Sequence, residues 1–234
     1  MKFVALLPMK GNSERVPQKN YLDLVGKPLF FYIADTLKST EIFETLVINT
    51  DSNKIANLAA DRYGDWVVIH ERPEELCGDY VPMYRINEYD ITKIGSEFQF
   101  LQTHSTNPLL KKNTIFQAVD KYKSIIKEKT HDSLFAVNEI RNRLYTTKLL
   151  PVNHDPKTLL RSQDNEPILE ENSNLYIFNY ESFKKMKSRL GESPFPFIIK
   201  SENFESLDID NLIDWKLAEI LISNESYFDK EQLI

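Results

Sequence analysis

Short apolar runs of strand length alternate with amphipathic stretches along most of this chain, and that alternation restricts the fold more than any other feature. The runs are Lys2–Leu7, Thr45–Thr50, Trp66–Ile69, Phe98–Leu101, Leu134–Val137, Asn174–Phe178 and Phe197–Ile199. Helical patterns fill the intervals. Pro28 opens one through Phe30, Phe31, Ile33, Ala34 and Leu37; Asp51 or Ser52 is placed to cap a second, with Ile55, Leu58 and Ala59 inward. Val81–Ile94 reads as a third, and Asn113 is placed to cap a fourth whose Ile115, Val119, Tyr122 and Ile126 form one stripe. A stretch at Tyr180–Ser188 and a closing helix with Ile213, Leu217, Ile220 and Leu221 on one face complete the set. Apolar strands joined by helical crossovers make right-handed βαβ units and a mostly parallel sheet. The expected fold is therefore α/β, one domain over residues 1–234, with 140–171 as an inserted arm where the alternation lapses.

In open α/β sheets, ligands sit beyond the carboxyl ends of the strands, near the point where strand order reverses. Polar residues of this chain collect at such ends: Asp51 after the second run, Glu71-Arg72-Pro73 after the third, Gln102-Thr103-His104 after the fourth. The most distinctive is the first loop, Pro8-Met-Lys-Gly-Asn-Ser-Glu-Arg-Val-Pro-Gln-Lys-Asn20. Its prolines, glycine and asparagines break both helical and strand periods. Lys10, Arg15 and Lys19 against Glu14 make it cationic in a chain whose net charge is −6. Backbone N–H groups near Gly11 and Ser13, with those cations, suit an anion such as phosphate; a solvated surface loop has the same composition.

The same loop resembles the N-terminal signature of the acylneuraminate cytidylyltransferases, enzymes that activate sialic-acid-like sugar acids as CMP esters. The match lies in Pro8, Gly11, Ser13, Arg15, Pro17, Lys19 and Asn20; Lys10 stands where the family usually has Arg, and Glu14 where it usually has Lys. Further along, Arg72-Pro-Glu-Glu-Leu-Cys-Gly-Asp79 resembles the family's Arg-Pro-x-x-Leu-x-x-Asp. Phe100-Leu-Gln-Thr-His-Ser-Thr-Asn-Pro-Leu109 resembles Leu-Leu-Gln-Pro-Thr-Ser-Pro-Leu. Arg161-Ser-Gln and Asn172-Ser-Asn-Leu-Tyr176-Ile-Phe178 resemble Arg-x-Gln … Asn-Gly-x-Ile-Tyr, with Ser173 in place of Gly and Glu170 where sialic-acid-specific members often have Arg. Asp208-Ile-Asp210 matches the family's Asp-x-Asp before its closing helix.

The resemblance implies a three-layer, Rossmann-like nucleotidyltransferase fold with a dimerisation arm. It implies CTP and a nonulosonic acid as substrates, and Mg²⁺ as cofactor. Lys10, Arg15 and Lys19 would carry catalysis on the triphosphate; Pro8, Gly11, Asn12, Ser13, Asn20, Arg72 and Asp79 would bind the nucleotide. Gln102, Arg161, Asn172 and Tyr176 would face the sugar, and Asp208 and Asp210 the metal. In a strand those two carboxylates would share a face, and Mg²⁺ takes one or two carboxylates beside substrate phosphates. Asp210 could instead cap the last helix. Rival readings are a cytidylyltransferase for an octulosonate or a phosphonate, and a non-catalytic nucleotide-binding homologue, which Glu14 favours.

Composition sets the remaining expectations. A chain of this length buries roughly 70% of its unfolded surface, enough to fold without staples. The single Cys77 excludes an internal disulfide and a zinc–thiolate cluster; His70, His131 and His154 lack metal-ligand spacing, and His104 is either a base or sugar contact or a solvated loop residue. With 29 Lys+Arg against 35 Asp+Glu, a nucleic-acid coat is not expected. No apolar run approaches membrane-spanning length and no leader pattern opens the chain, so a cytoplasmic protein is the expectation. Leu144, Tyr145, Leu149, Leu150, Val152, Leu159 and Leu160 of the arm need a surface to cover them, and a homodimer would supply it.

Overall fold

In the computed structural model, residues 1–78, 80–158, 160–200 and 204–224 are described. The elements run β1 (Phe3–Leu6), a hairpin of β2 (Asp23–Leu24) and β3 (Lys27–Pro28), α1 (Leu29–Thr40), β4 (Phe43–Thr50) and α2 (Asn53–Tyr63). They continue β5 (Val67–Glu71), α3 (Met83–Ile94), β6 (Gln99–Thr103), α4 (Lys112–Glu128), β7 (Ser133–Ile140), β8 (Ile168–Asn179), α5 (Tyr180–Met186), β9 (Pro194–Ile198) and α6 (Leu212–Ser223). The main sheet has the order β5–β4–β1–β6–β8–β7–β9. All its ladders are parallel except the two made by β8.

β1 explains why the sheet must have helices on both sides. Phe3 and Ala5 face one core with α1, α2 and α4, while Val4 and Leu6 face a second core with α3 and α5. Both faces of the strand are apolar, so the sheet is stable only between two helical layers. A third, smaller core joins Val16 and Leu24 to Ile209, Trp215 and Ala218, tying α6 and the segment before it to the first loop. The hairpin before α1 turns at Val25 and Gly26, both at positive φ, and Asp23 accepts from the Gly26 N–H at 3.0 Å.

Some local expectations change. Ser52 caps α2, accepting from the Ile55 N–H, but α4 starts after Lys111, leaving Asn113 inside its first turn. Trp66 sits in a 3-10 turn, and the third strand runs on to Glu71. The closing helix buries Trp215, Ala218 and Leu221, whereas Ile213, Leu217 and Ile220 are exposed. That helix is apolar nearly all round, so spacing alone does not select a face.

Segment 140–171 is strand only at its two ends. β7 and β8 stay antiparallel out to Ile140 opposite Ile168, so the irregular part is 141–167. The ladder shifts register between Phe135 and Val137, and Ser173 lies at that shift with φ +56°. Beyond it the arm is held by its own polar contacts: Asn153 Nδ2 donates to the carbonyls of Asn142 and Glu166, and Arg141 Nη1 to that of Asn165. Leu149 is 80% exposed, with Leu150, Val152, Tyr145 and Leu160 also in solvent; Leu159 lies outside the described residues. Among the described residues no helix is long and apolar enough to cross a membrane.

Candidate active site

Strand order turns at β1: β4 and β5 lie on one side of it, β6 on the other. The crevice at the carboxyl ends of β1 and β6 is where a doubly wound sheet opens, and here it is a cleft of about 430 Å³. Pro8, Lys10, Asn12, Ser13, Arg15, Lys19, Asn20, Arg72 and Asp210 line it, together with Glu14, His104, Ser105 and Thr106. A separate groove of about 350 Å³ between α1 and the start of α4 holds none of these residues.

The first loop is pinned at several points. The Gly11 N–H donates to Asp51 Oδ1 at 2.6 Å, so that N–H faces the protein rather than the cleft. A Cβ on Gly11 would lie 2.8 Å from Ser52 Cβ, a contact no side chain could keep. Asn20 donates from Nδ2 to the Lys10 carbonyl and accepts at Oδ1 from Ser105, coupling the loop to the end of β6. Lys19 reaches the Ile209 carbonyl at 2.5 Å and stands 3.8 Å from Asp210. Burial holds its pKa below the ordinary lysine value, with Asp210 and Asp208 acting in the opposite sense.

Arg72 is buried, its Nε donating to Asn49 Oδ1 and its Nη2 to the carbonyls of Asn49 and Met9. Asn49 donates in turn to Asp90 Oδ1 at 2.7 Å, and His70 Nδ1 is the same distance from that oxygen. This buried relay fixes the direction of the Arg72 guanidinium. Asp79 lies outside the described residues.

Segment 207–210 is irregular rather than a strand, although Ile209 N bonds to the Thr106 carbonyl. The two aspartates still act on one another. Burial raises the pKa of Asp208, and the neighbouring Asp210 raises it further, against a hydrogen bond from Thr106. Asp208 Oδ1 is buried with no hydrogen-bond partner. Asp210 does not cap α6: Asn211 does, in a capping box with Asp214. Its carboxylate instead pairs with Arg15, 2.9 Å away. No cluster of three or more His, Cys, Asp or Glu side chains suited to a metal occurs among the described residues. Two carboxylates, one with an orphaned buried oxygen, nevertheless fit a divalent cation whose other ligands come from phosphate and water.

Of the residues expected to face the sugar, Gln102 and Tyr176 are cross-strand partners in the β6–β8 ladder, both fully buried and neither lining the cleft. Gln102 Oε1 accepts from Asn87 and from Arg189, and His104 Nε2 receives Gln102 Nε2 at 3.2 Å and Arg189 Nη1 at 3.1 Å. His104 is thus held neutral: burial, then Arg189 and Lys19, pull its pKa to about 3. Tyr176 donates its hydroxyl to Glu171, and burial pushes its pKa up to about 12. Asn172 sits on β8, bonded to Asn138 and to the Asn174 N–H. Arg161 is not brought to this group. It lies on the arm, paired through Nε and Nη2 with Asp164. Arg189, which no motif marks, takes a central place.

A three-layer sheet with a cationic loop at its switch point and paired carboxylates opposite defines a nucleotidyltransferase-like α/β protein. The chain belongs to the cytidylyltransferase family, whose model matches residues 4–229. It is 29% identical over 236 residues to the CMP-N,N′-diacetyllegionaminic acid synthase of Legionella pneumophila, covering 95% of this chain and 97% of that protein. It is 25% identical over 225 residues to the N-acylneuraminate cytidylyltransferase of Escherichia coli O18:K1:H7, covering 93% of this chain. It spans only about half of that longer relative, 51%. A pseudaminic acid cytidylyltransferase of Campylobacter jejuni is 31% identical over 126 residues, 52% of this chain and 53% of that one. In fold the chain is similar to a CMP:2-keto-3-deoxy-manno-octonic acid synthetase solved with CTP, with a TM-score of 0.66 at 12% identity over 96% of this chain and 100% of that one.

Proposed function

We propose that this protein transfers the cytidylyl group of CTP to a nonulosonic acid, releasing pyrophosphate. The observation that carries the reading is the junction of Lys10, Arg15, Lys19 and Asp210 around one cleft beyond β1 and β6, with Asp208 near enough to act on Lys19. The acceptor's anomeric hydroxyl attacks the α-phosphorus, a P–O bond forms, the α–β bridge breaks and the hydroxyl proton is released. Such a reaction needs positioning and charge neutralisation more than covalent help. Lys10, Arg15 and Lys19 hold the triphosphate; Gln102 and Tyr176 orient the acceptor, beside Asn172. Asp208 and Asp210 would hold Mg²⁺, which supplies charge to offset that of the phosphates. The names of the relatives support sialic, legionaminic or pseudaminic acid as acceptor.

The test is pyrophosphate release from CTP against a panel of those acids. Release with one of them, and not from UTP, ATP or GTP, is the expected result. No release with any acid would overturn the reading.

Glu14 favours a second reading, a nucleotide-binding protein without turnover, because it lines the cleft rather than turning away. A carboxylate about 6 Å from a phosphate charge is repelled by about 3 kcal/mol at an effective dielectric of 20. Glu14→Lys restores the cation usual in the family. Unchanged or tighter CTP binding is expected, and complete loss would give Glu14 an essential role of its own.

A further inference from the structure

A half-buried cation beside Gln102 and Tyr176, Arg189, has no carboxylate within ion-pair distance among the described residues. Arg189 lies in the connection between α5 and β9. That connection is anchored: Gly191 N donates to Ser133 Oγ at 2.8 Å, Glu192 N and Ser193 N donate to Asp132, and a Cβ on Gly191 would collide with Asp132. The guanidinium lies 3.7 Å over the centre of the Tyr176 ring, which fixes its plane. Nη1 is used twice, toward Gln102 Oε1 and His104 Nε2, at 3.1 Å each. Nε and Nη2 form no hydrogen bond to any described residue, and neither is sealed from solvent. Among the described residues Arg189 has no ion pair, its polar partners being Gln102 and His104. Glu171, the acid that acts on it from further away, accepts the Tyr176 hydroxyl.

The Nε–Nη2 edge is the one an arginine presents to a carboxylate in a two-pronged pair. A half-buried guanidinium with that edge open is an incomplete ion pair, since withdrawing an unanswered charge from water is costly. Burial accordingly lowers the pKa of Arg189 from its usual value. A nonulosonic acid carries its carboxylate on the anomeric carbon, the same carbon that bears the attacking hydroxyl. Holding that carboxylate sets the direction of the hydroxyl.

We infer that Arg189 forms the carboxylate subsite of the acceptor, with Gln102 and His104 holding the guanidinium and Tyr176 supporting it from below. This deepens the proposed function and rests on it. It also answers two departures: Glu170 stands where related enzymes often carry Arg, and Arg161 is engaged by Asp164 on the arm.

The test separates binding from turnover. N-acetylneuraminate, N,N′-diacetyllegionaminate and pseudaminate are titrated calorimetrically as free acids and as methyl esters. The protein is saturated with Mg²⁺ and α,β-methylene-CTP, which cannot release pyrophosphate. The native protein should bind at least one free acid tenfold or more tighter than its ester. Arg189→Gln should bring that ratio to within about threefold by weakening the acid alone, leaving affinity for the CTP analogue within twofold. Arg189→Lys should fall between, and it carries the test if the glutamine variant does not fold. An unchanged ratio in the variants, acid and ester weakening together, or a native protein that binds no acid or makes no distinction would each overturn the subsite. A protein that shows the Arg189-dependent preference but releases no pyrophosphate from CTP overturns the transfer reading and leaves the subsite standing.

Discussion

Arg15 Nη1 lies 2.9 Å from Asp210 Oδ2, joining the cationic first loop to the acidic segment before α6 across the mouth of the cleft. Both side chains are at least half exposed, 66% and 50%, so the pair holds the loop only weakly. Substrate can exchange it without a large barrier. In the proposed reaction the triphosphate would take Arg15 and Lys19, and Asp210 with the orphaned oxygen of Asp208 would hold the Mg²⁺.

Asp210→Asn and Asp208→Asn are therefore expected to abolish Mg²⁺-dependent turnover while leaving a cooperative melt. Asn211 and Asp214 cap α6 without either aspartate, so neither substitution removes a helix cap. Activity within threefold of the native enzyme for Asp210→Asn would show that its role is only the contact with Arg15.

Ser173 is held at φ +56°, in the left-handed region where a Cβ is strained. Related enzymes usually have Gly there, and the register shift between β7 and β8 explains why the backbone needs it. The serine has one weak return, a 3.4 Å contact with the Tyr176 hydroxyl. Ser173→Gly should raise stability by up to about 1 kcal/mol, a gain of roughly 2–4 °C in Tm for a domain of this size. Differential scanning calorimetry reads it, and a lower Tm would mean that the Tyr176 contact outweighs the strain.

His104 predicts a pH dependence with a definite sign. Its folded pKa, about 3, lies below the ordinary histidine value, so the unfolded chain binds the proton first. The stability it contributes is complete above about pH 6.5 and is lost as pH falls toward 3. By pH 4.5 the loss should be about 2–3 kcal/mol. His104→Gln should melt nearer to the native protein, or above it, at pH 4.5 than at pH 7.5. A constant difference in Tm across that range would refute a neutral His104, as would its imidazole titrating near pH 6 by NMR.

The sheet, its crevice and the loop residues that line it were legible because strand ends and loop composition are local signals. Lys10, Lys19, Asn20 and Arg72 were all readable from a strand end followed by a cationic or prolyl loop. Arg189 was not, because it sits in an irregular connection and meets Gln102 and Tyr176 only when β6 and β8 bring them together. The inward face of α6 failed for a different reason. Leu212, Ile213, Leu217 and Ile220 are as apolar as the buried Trp215, Ala218 and Leu221, so tertiary packing chose between two equivalent stripes.

The arm leads to a prediction about assembly. Its polar contacts are internal, through Asn153, Arg141 and Asn165, yet Tyr145, Leu149, Leu150, Val152 and Leu160 face solvent together. A rigid platform with an apolar outer surface is suited to an isologous contact with a second copy. Arg161, idle in its own site and paired only with Asp164, would be carried by that contact to the partner. A two-fold dimer burying about 1,200 Å² or more is expected. Light scattering at micromolar concentration should give twice the chain mass, and Leu149→Glu with Leu150→Glu should return a folded monomer. A monomeric native protein would remove the arm's role. A dimer that survives both substitutions would move the interface elsewhere, with the exposed Ile213–Leu217–Ile220 stripe of α6 as the next surface to charge.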